Sequence, residues 1–124
     1  MNKFDLGWLV GFLDGEGSFI LRPIRKKQGY IRARECNIQA TNTDRDTMER
    51  LARIAGGYSN GPYVWSKKVN HKPLYRWTLA KKIKVFDLLN LIKPYMSRRR
   101  QAQIELMLEY LRPRLRDLRR REDG

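Results

Sequence analysis

The hydrophobic and polar positions along the chain divide it into alternating helical and strand-like segments. Apolar residues three and four positions apart predict helices over residues 4–14, 43–55, 82–92 and 97–111. Alternating apolar and polar residues between turn signals predict strands over residues 18–27, 30–41, 58–67 and 72–80. The resulting order is αββαββα followed by a terminal helix, which defines an α+β domain.

Short polar and glycine signals set the predicted helix boundaries. Asp5 is a candidate N-cap of the first helix, and Gly15 and Gly17 are expected to end that helix. Thr43 and Asp46 fit a capping box at the start of the second helix, with Asp in the place of the usual Glu. These signals place the helix ends to within a few residues.

The second predicted strand shows which side of the sheet faces a core. Its apolar residues point one way and its polar residues the other, with Cys36, Ile38 and Ala40 opposed to Glu35, Asn37, Gln39 and Thr41. We therefore expect a sheet with one buried face and one open polar face. Pro23 in the first strand indicates an edge position or a bulge there.

Composition and charge indicate an anionic partner. The 124 residues include 27 Lys and Arg against 13 Asp and Glu, which gives a net charge of +14. A charge of this size is typical of proteins that bind nucleic acid, a membrane surface or an acidic protein. The single Cys36 excludes an internal disulfide and a cysteine-based zinc site.

The sequence also predicts where the protein works and how it is divided. No apolar run reaches the ~18 residues of a membrane span, and the N-terminus lacks the apolar core of a signal peptide. We expect an intracellular, soluble protein without a membrane partner. Residues 1–111 are predicted to form the domain and residues 112–124 a basic extension or tail, with Pro113 indicating a kink or a new helix start.

The first predicted helix carries the candidate chemistry. Gly7, Gly11 and Gly15 recur every four residues on one side, and each costs ~1 kcal/mol relative to alanine in a helix. Such a smooth stripe lets another backbone approach closely, either within the chain or from a partner. Asp14 and Glu16 lie at the negative end of the helix dipole, which is unfavourable unless a cation binds. Hard carboxylate oxygens suit Mg²⁺, and the alternative is a plain helix stop followed by a turn.

The run LVGFLDGEG at Leu9–Gly17 resembles the nine-residue signature of the LAGLIDADG homing endonucleases. Leu9, Gly11, Asp14 and Gly17 are identical to the signature, and Glu16 takes the place of its second acid. The αββαββα order over residues 4–111 strengthens the resemblance. So does the segment Ile92–Tyr95 followed by Ser97–Gln101, which is similar to the family's last loop and helix.

The resemblance implies the family's fold, with an antiparallel four-stranded DNA-binding sheet, and a site-specific, metal-dependent double-strand DNA endonuclease. It assigns Glu16 as a ligand of Mg²⁺ or Mn²⁺, with the Gly15 carbonyl as an additional ligand. Asp14 corresponds to the first acid, which orients the helix interface. Arg98 and Arg99 are alternatives for the family's basic position near the scissile phosphate, and Gln39 or Asn42 would position the hydrolytic water.

One motif in 124 residues implies a homodimer whose active site is completed across a two-fold axis. The motif helices of the two copies would meet along Gly7, Val10, Gly11, Asp14 and Gly15. A dimer of this kind reads a long, near-palindromic target.

DNA contacts are expected on the open face of the sheet, because a two-stranded ribbon fits the major groove. The expected DNA-binding residues are Ile20, Arg22, Ile24, Lys26, Glu35, Asn37, Gln39, Lys67, Lys68, Arg76 and Thr78.

Two other classes of function remain as alternatives. The first is a relative with the same fold that binds nucleic acid without cleaving it, either a maturase acting on intron RNA or a DNA-binding regulator. Retention of both Asp14 and Glu16 favours cleavage over this alternative. The second is a basic module for membranes or acidic proteins, and it is the least favoured because the apolar residues are not gathered in one surface helix.

Overall fold

The chain follows the predicted αββαββα order and adds two helices after it. The computed structural model describes residues 1–27, 29–64 and 72–123. The elements are α1 (Lys3–Glu16), β1 (Ser18–Lys26), β2 (Gly29–Asn42), α2 (Arg45–Ala55), β3 (Tyr58–Tyr63), β4 (Leu74–Leu79), α3 (Lys82–Ile92), α4 (Arg98–Leu111) and α5 (Leu115–Asp123). Short 3₁₀ turns at Lys93–Tyr95 and Arg112–Arg114 connect the last three helices.

The four strands form one antiparallel sheet in the order β1-β2-β4-β3. Ile38 pairs with Leu79 and Ala40 pairs with Trp77, so the apolar side chains of the two central strands share one face. All four of these side chains are buried. The predicted bulge is confirmed, since the pairing of β1 with β2 shifts register between Pro23 and Arg25.

The helices cover the apolar face of the sheet and enclose the core between them. Buried residues come from the two central strands and from every helix of α1 to α4, including Leu9, Leu13, Ile38, Met48, Leu51, Trp77, Leu89, Ile104 and Leu108. The indole Nε1 of Trp77 donates to the Gly56 carbonyl at 2.8 Å. Gly57 has a φ of +83°, and a Cβ there would lie 2.3 Å from the Thr78 carbonyl oxygen, so only glycine fits this close approach.

The first helix begins earlier and ends later than the sequence suggests. Its N-cap is Asn2, whose Oδ1 accepts from the Asp5 backbone N–H at 2.8 Å, so the expectation that Asp5 is the cap is wrong. Gly15 lies inside the helix, and the chain leaves it only at Gly17. Asp5 instead lies in the first turn, where its charge favours the positive end of the helix dipole.

The predicted capping box of the second helix is also wrong. Asp44 is the N-cap, and its carboxylate accepts from the Asp46 backbone N–H at 3.2 Å and from the Thr47 hydroxyl at 2.7 Å. The Asn42 side-chain oxygen accepts from the Asp44 backbone N–H at 2.8 Å in an Asx-type turn. The helix cap consequently lies one residue after Thr43. A shift of one residue in a cap is within what local sequence signals resolve.

The basic segment after residue 111 packs on the same core. Leu118 of α5 contacts the core cluster, and Arg119 lies 3.8 Å from the Asp87 carboxylate of α3. The Arg114 guanidinium lies 3.9 Å from the centroid of the Tyr110 ring. Pro113 occupies a 3₁₀ turn between two helices, which agrees with the predicted new helix start. None of the helices in the described ranges has the length and apolar character that crossing a lipid bilayer requires.

Candidate active site and sheet face

The glycines on one side of α1 are not covered by any described side chain of the protomer. Gly7, Gly11 and Gly15 are exposed, and apart from the neighbouring backbone of α1 itself, a Cβ built on any of them meets no described atom within 4 Å. Tight packing inside one chain therefore does not explain these three glycines. Val10 is half-buried beside them and lines a small apolar cavity with Leu6 and Tyr95, among others. This side of α1, defined by Gly7, Val10, Gly11 and Gly15, is called the glycine face below.

The two acids of the motif have different surroundings at the C-terminal end of α1. The Asp14 carboxylate accepts from the Ser97 backbone N–H at 2.9 Å. This hydrogen bond, together with the Ser97 hydroxyl and the positive charges of Arg100 and Arg99, holds the pKa of Asp14 below its usual range. Glu16 is the exposed last residue of the helix, and its carboxylate accepts no hydrogen bond from the described residues.

Three consecutive arginines begin α4 beside these acids, and they separate by burial. Arg98 and Arg99, the two that the sequence singles out, are exposed. Arg100 is buried, and its Nε donates to the Asp14 backbone carbonyl at 3.0 Å. Sequence reasoning missed Arg100, although its spacing gave a signal. It lies four residues before Ile104, on the side of α4 that also buries Met107 and Leu108.

The two residues proposed to position water lie at different places. Asn42 is the last residue of β2, and its side-chain oxygen is occupied by the Asp44 N–H. Gln39 is half-buried in the same strand, opposite Ser18 of β1 and Thr78 of β4. Their roles stay predictions, and Asn42 has less freedom to accept from water than the sequence suggests.

In one protomer, the two acids of the motif supply only part of the ligand set of a metal ion. Among the described residues, no three His, Cys, Asp or Glu side chains come together as a metal-binding group. Asp14 already has a partner in Ser97, which leaves the exposed Glu16 as the available carboxylate. Mg²⁺ in nucleic-acid enzymes takes one or two carboxylates together with phosphate oxygens and waters, so a single Glu16 per chain is compatible with such an ion.

The polar face of the sheet carries the predicted DNA-binding residues in one array. Register pairs Ile20 with Asn37, Arg22 with Glu35, and Gln39 with Thr78, so these side chains share a face. Arg76 lies on the same face and is exposed, with its guanidinium 5.3 Å from the Tyr63 ring centroid. The predicted division of the sheet into an apolar and a polar face is therefore confirmed, and DNA binding by these residues stays a prediction.

This face is less open than the sequence suggests at its centre. Asn37 is 7% exposed and Thr78 is 6% exposed, because both lie on the two central strands between long neighbouring side chains. Arg22 pairs with Glu35 through Nε at 2.6 Å, and the Asn37 amide donates to Glu35 at 3.0 Å. The hydrogen bond from Arg22 is the main cause that lowers the pKa of Glu35. Neither Asn37 nor Thr78 can contact DNA directly unless its neighbours move.

The remaining predicted DNA contacts lie at the ends of the strands. Ile24 is half-buried next to the bulge of β1, and Lys26 is the last residue of that strand. Lys67 and Lys68 lie outside the residues that the structure describes.

Comparison with protein families matches residues 9–110 to the LAGLIDADG endonuclease model. Because this match covers most of the chain, the protein belongs to the LAGLIDADG endonuclease family. The predicted family and α+β fold are thereby confirmed. No curated protein sequence matches the chain.

Solved structures share the fold at low sequence identity. The homing endonuclease I-CvuI, in complex with its target, has a TM-score of 0.69 at 19% identity, over 90% of this chain and 69% of that one. The homing endonuclease I-TnaI has a TM-score of 0.68 at 21% identity, over 90% and 74% of the two chains. The group I intron-encoded homing endonuclease I-CeuI, complexed with DNA, has a TM-score of 0.72 at 12% identity, over 94% and 57%.

Proposed function

We propose that this protein is a site-specific, divalent-metal-dependent endonuclease that cuts double-stranded DNA as a homodimer. The observation that carries this proposal is the exposed Glu16 at the end of a helix whose three exposed glycines are left uncovered by the described residues. Family membership and relatives solved with DNA support the same activity.

A second copy of the chain is the occupant that best fits the glycine face. A two-fold axis running past Gly11 would bring the α1 helices of two protomers into contact along matching small residues. The same operation would place two Glu16 carboxylates near each other at the end of the helix pair. Each active site would then draw on both protomers.

In this arrangement Glu16 holds the divalent ion, with the Gly15 carbonyl as a second oxygen donor and phosphate oxygens from the DNA. A bound Mg²⁺ or Mn²⁺ supplies activation of a water molecule and stabilisation of the leaving oxygen. Arg98 or Arg99, both exposed on the first turn of α4, supplies positive charge to the phosphate. Gln39 or Asn42 orients the attacking water.

The polar face of the sheet supplies DNA recognition. Exposed Arg22 and Arg76 lie at the accessible part of this face, where an arginine can donate to guanine or to phosphate. The net charge of +14 supports phosphate binding, whose affinity falls as salt rises. Two sheets related by the two-fold axis would read two similar half-sites.

The test is cleavage of a randomised double-stranded DNA library with Mg²⁺, compared with EDTA, for the wild type and for Glu16→Gln. We expect double-strand breaks with Mg²⁺ only, and loss of cleavage in Glu16→Gln with retained DNA binding in Ca²⁺. The amide keeps the shape of the side chain but is a poor ligand for Mg²⁺. The matched control is Glu49→Gln, which makes the same change on the exposed surface of α2.

Three results would contradict this assignment. Cleavage by Glu16→Gln at the wild-type rate would remove Glu16 from the site. Equal loss in Glu49→Gln would show an effect unrelated to the motif. Specific binding to DNA or to structured RNA without any metal-dependent cleavage would instead establish the non-cleaving regulator or maturase.

A further inference from the structure

Arg100 is a buried cation where α1, β1 and α4 meet. The residue is 8% exposed although it lies in the first turn of α4. Its guanidinium carbon lies 5.4 Å from the centroid of the Phe19 ring in β1. Burial disfavours its charged form and lowers the pKa of Arg100. A buried arginine is costly unless its donors are satisfied, so its partners indicate why it is there.

The hydrogen-bond partners of Arg100 are neutral groups. Nε donates to the Asp14 backbone carbonyl at 3.0 Å, and Nη1 donates to Oε1 of Gln103 at 3.0 Å. None of the ion pairs found in residues 1–27, 29–64 and 72–123 includes Arg100. The charge of Asp14 acts on Arg100 only through space. This arginine therefore binds a piece of backbone rather than a carboxylate.

That piece of backbone is the last turn of α1. The final carbonyls of a helix lack partners within the helix and form the negative end of its dipole. Arg100 supplies a donor and a positive charge at this end, where Asp14 and Glu16 add two negative charges. The Ser97 N–H binds the Asp14 carboxylate from the same region of α4. The first turn of α4 and its N-cap Ser97 thus bind Asp14 at both its backbone carbonyl and its carboxylate.

This double attachment determines where Glu16 lies. The Glu16 side chain has no hydrogen bond to the described residues, so the backbone of residues 14–17 alone fixes its position relative to the protein. Phe19, which packs against Arg100, belongs to β1 and follows the same backbone into the sheet. Arg100 therefore links the acidic end of α1 to the first strand of the polar face.

We propose that Arg100 is a positioning residue that fixes the turn carrying Glu16 against α4 and β1. Its effect on metal binding rests on the proposed endonuclease function, whereas its effect on the backbone of this turn does not. In this role Arg100 differs from Arg98 and Arg99, which are exposed and are proposed to act on phosphate.

The first measurement needs no enzymatic activity. Amide hydrogen exchange is compared at residues 15–18 and in the core strand around Ile38, for the wild type, Arg100→Lys and Arg100→Met. Lysine keeps the positive charge, but its single ammonium group cannot bind both Asp14 and Gln103 as the guanidinium does. We expect faster exchange at residues 15–18 in both variants, with unchanged exchange around Ile38 in Arg100→Lys. The matched controls are Arg53→Lys and Arg53→Met, at an exposed position in α2.

The second measurement addresses the metal. In the DNA complex, Mn²⁺ binding is followed by electron paramagnetic resonance, and the Mg²⁺ concentration for half-maximal cleavage is determined. Changing a group that orients a metal ligand typically costs about 10–100-fold in metal affinity, and we expect a loss near the lower end in Arg100→Lys. DNA affinity in Ca²⁺ should stay at the wild-type value, because the Arg100 side chain is buried within the protein.

These two measurements separate the outcomes. Exchange that rises uniformly together with a lower Tm, or no change at residues 15–18, would make Arg100 a packing residue and overturn the proposal. If Arg100→Met fails to fold, Arg100→Lys decides on its own. If the wild-type protein neither binds Mn²⁺ in the presence of DNA nor cleaves the DNA, the proposed function fails. The exchange data still test the positioning role in that case.

Discussion

The glycines within α1 and the glycine directly after it differ in what surrounds them. A Cβ on Gly17 would lie 2.7 Å from the Leu13 carbonyl oxygen, so the fold of a single chain requires glycine there. At Gly7, Gly11 and Gly15 a Cβ meets no described atom within 4 Å outside the neighbouring backbone of α1 itself. The segment from Gly7 to Gly17 therefore combines one glycine that folding requires with three that no described neighbour requires. The difference fits the proposed contact of Gly7, Gly11 and Gly15 with a second protomer.

The opposite side of α1 completes the contrast. Leu9 and Leu13 are fully buried against the sheet and the other helices. The inner side of the helix thus stabilises the protomer, while the glycine face is available for assembly. Mutations on the two sides should consequently change different observables, folding on one and association on the other.

The largest expected effect is that of Gly11→Leu. A leucine at the centre of the glycine face holds two α1 helices apart, so we expect a monomer in place of a dimer and loss of cleavage. The free energy of unfolding of the protomer should stay the same or rise, because leucine is a better helix former than glycine by ~1 kcal/mol. Sedimentation velocity and urea unfolding measure the two quantities. A dimeric, active Gly11→Leu protein would place the interface elsewhere.

The next largest effect is the expected difference in stability between Gly17→Ala and Gly15→Ala. The alanine Cβ at position 17 collides with the Leu13 backbone, and overpacking of this kind costs ~1–3 kcal/mol of stability. At position 15 the Cβ enters open space, so the stability of the protomer should not fall. Thermal unfolding of both variants under monomeric conditions tests the comparison. Equal destabilisation by the two alanines would remove the distinction between the sides.

A smaller effect is expected where α1 meets α4. Ser97 has φ of −60° and follows an extended Met96, so proline fits its backbone while removing the N–H that Asp14 accepts. Ser97→Ala removes only the hydroxyl, which is the second cause of the lowered Asp14 pKa. We expect the pKa of Asp14 to rise slightly in Ser97→Ala and further, towards 3.8, in Ser97→Pro.

Carboxyl resonances in an NMR pH titration measure this order. The loss of the N-cap hydroxyl at α4 costs about the same in both variants, ~1 kcal/mol, so it does not disturb the comparison. Identical Asp14 titration in the two variants would show that the backbone N–H has no influence on this carboxylate.

The smallest effect is expected at Glu105 of α4, and it concerns the stability of the protein at acidic pH. Hydrogen bonds from Arg112 and Lys93 lower the pKa of Glu105 from 4.5 to about 2. The folded state holds this proton less tightly than the unfolded state, so the stabilisation is complete above pH 4.5 and is lost as the pH falls towards 2. Glu105→Gln should therefore flatten the decline of stability over this range. Urea unfolding between pH 2 and 5 checks it, and an unchanged slope would contradict the assignment.

Much of the fold follows from local sequence patterns. The element order and the two faces of the sheet came from periodicity, as with Cys36 and Ile38 on the buried face and Glu35 on the polar one. Cys36 is buried as expected, and burial raises the pKa of its thiol to about 11. These features depend on neighbours within one element, so their signals lie close together in the chain.

The candidate site was only partly accessible to the same reasoning. The sequence determined the glycine stripe and both acids, since the helix repeat and the motif specify them locally. Whether the glycines packed inside the chain or stayed open could not be read from their spacing. The same limit applies to Asn37 and Thr78, which share the polar face but are buried.

What the sequence determined by itself is therefore the family, the order of elements and the residue types at the end of α1. The tertiary structure alone decided that Asp44 caps α2 and that Arg100 holds the Asp14 carbonyl. The last contact joins residues separated by 86 positions in the chain. Helix and strand periodicity describes neighbours along one element, whereas such contacts depend on how separate elements pack in space.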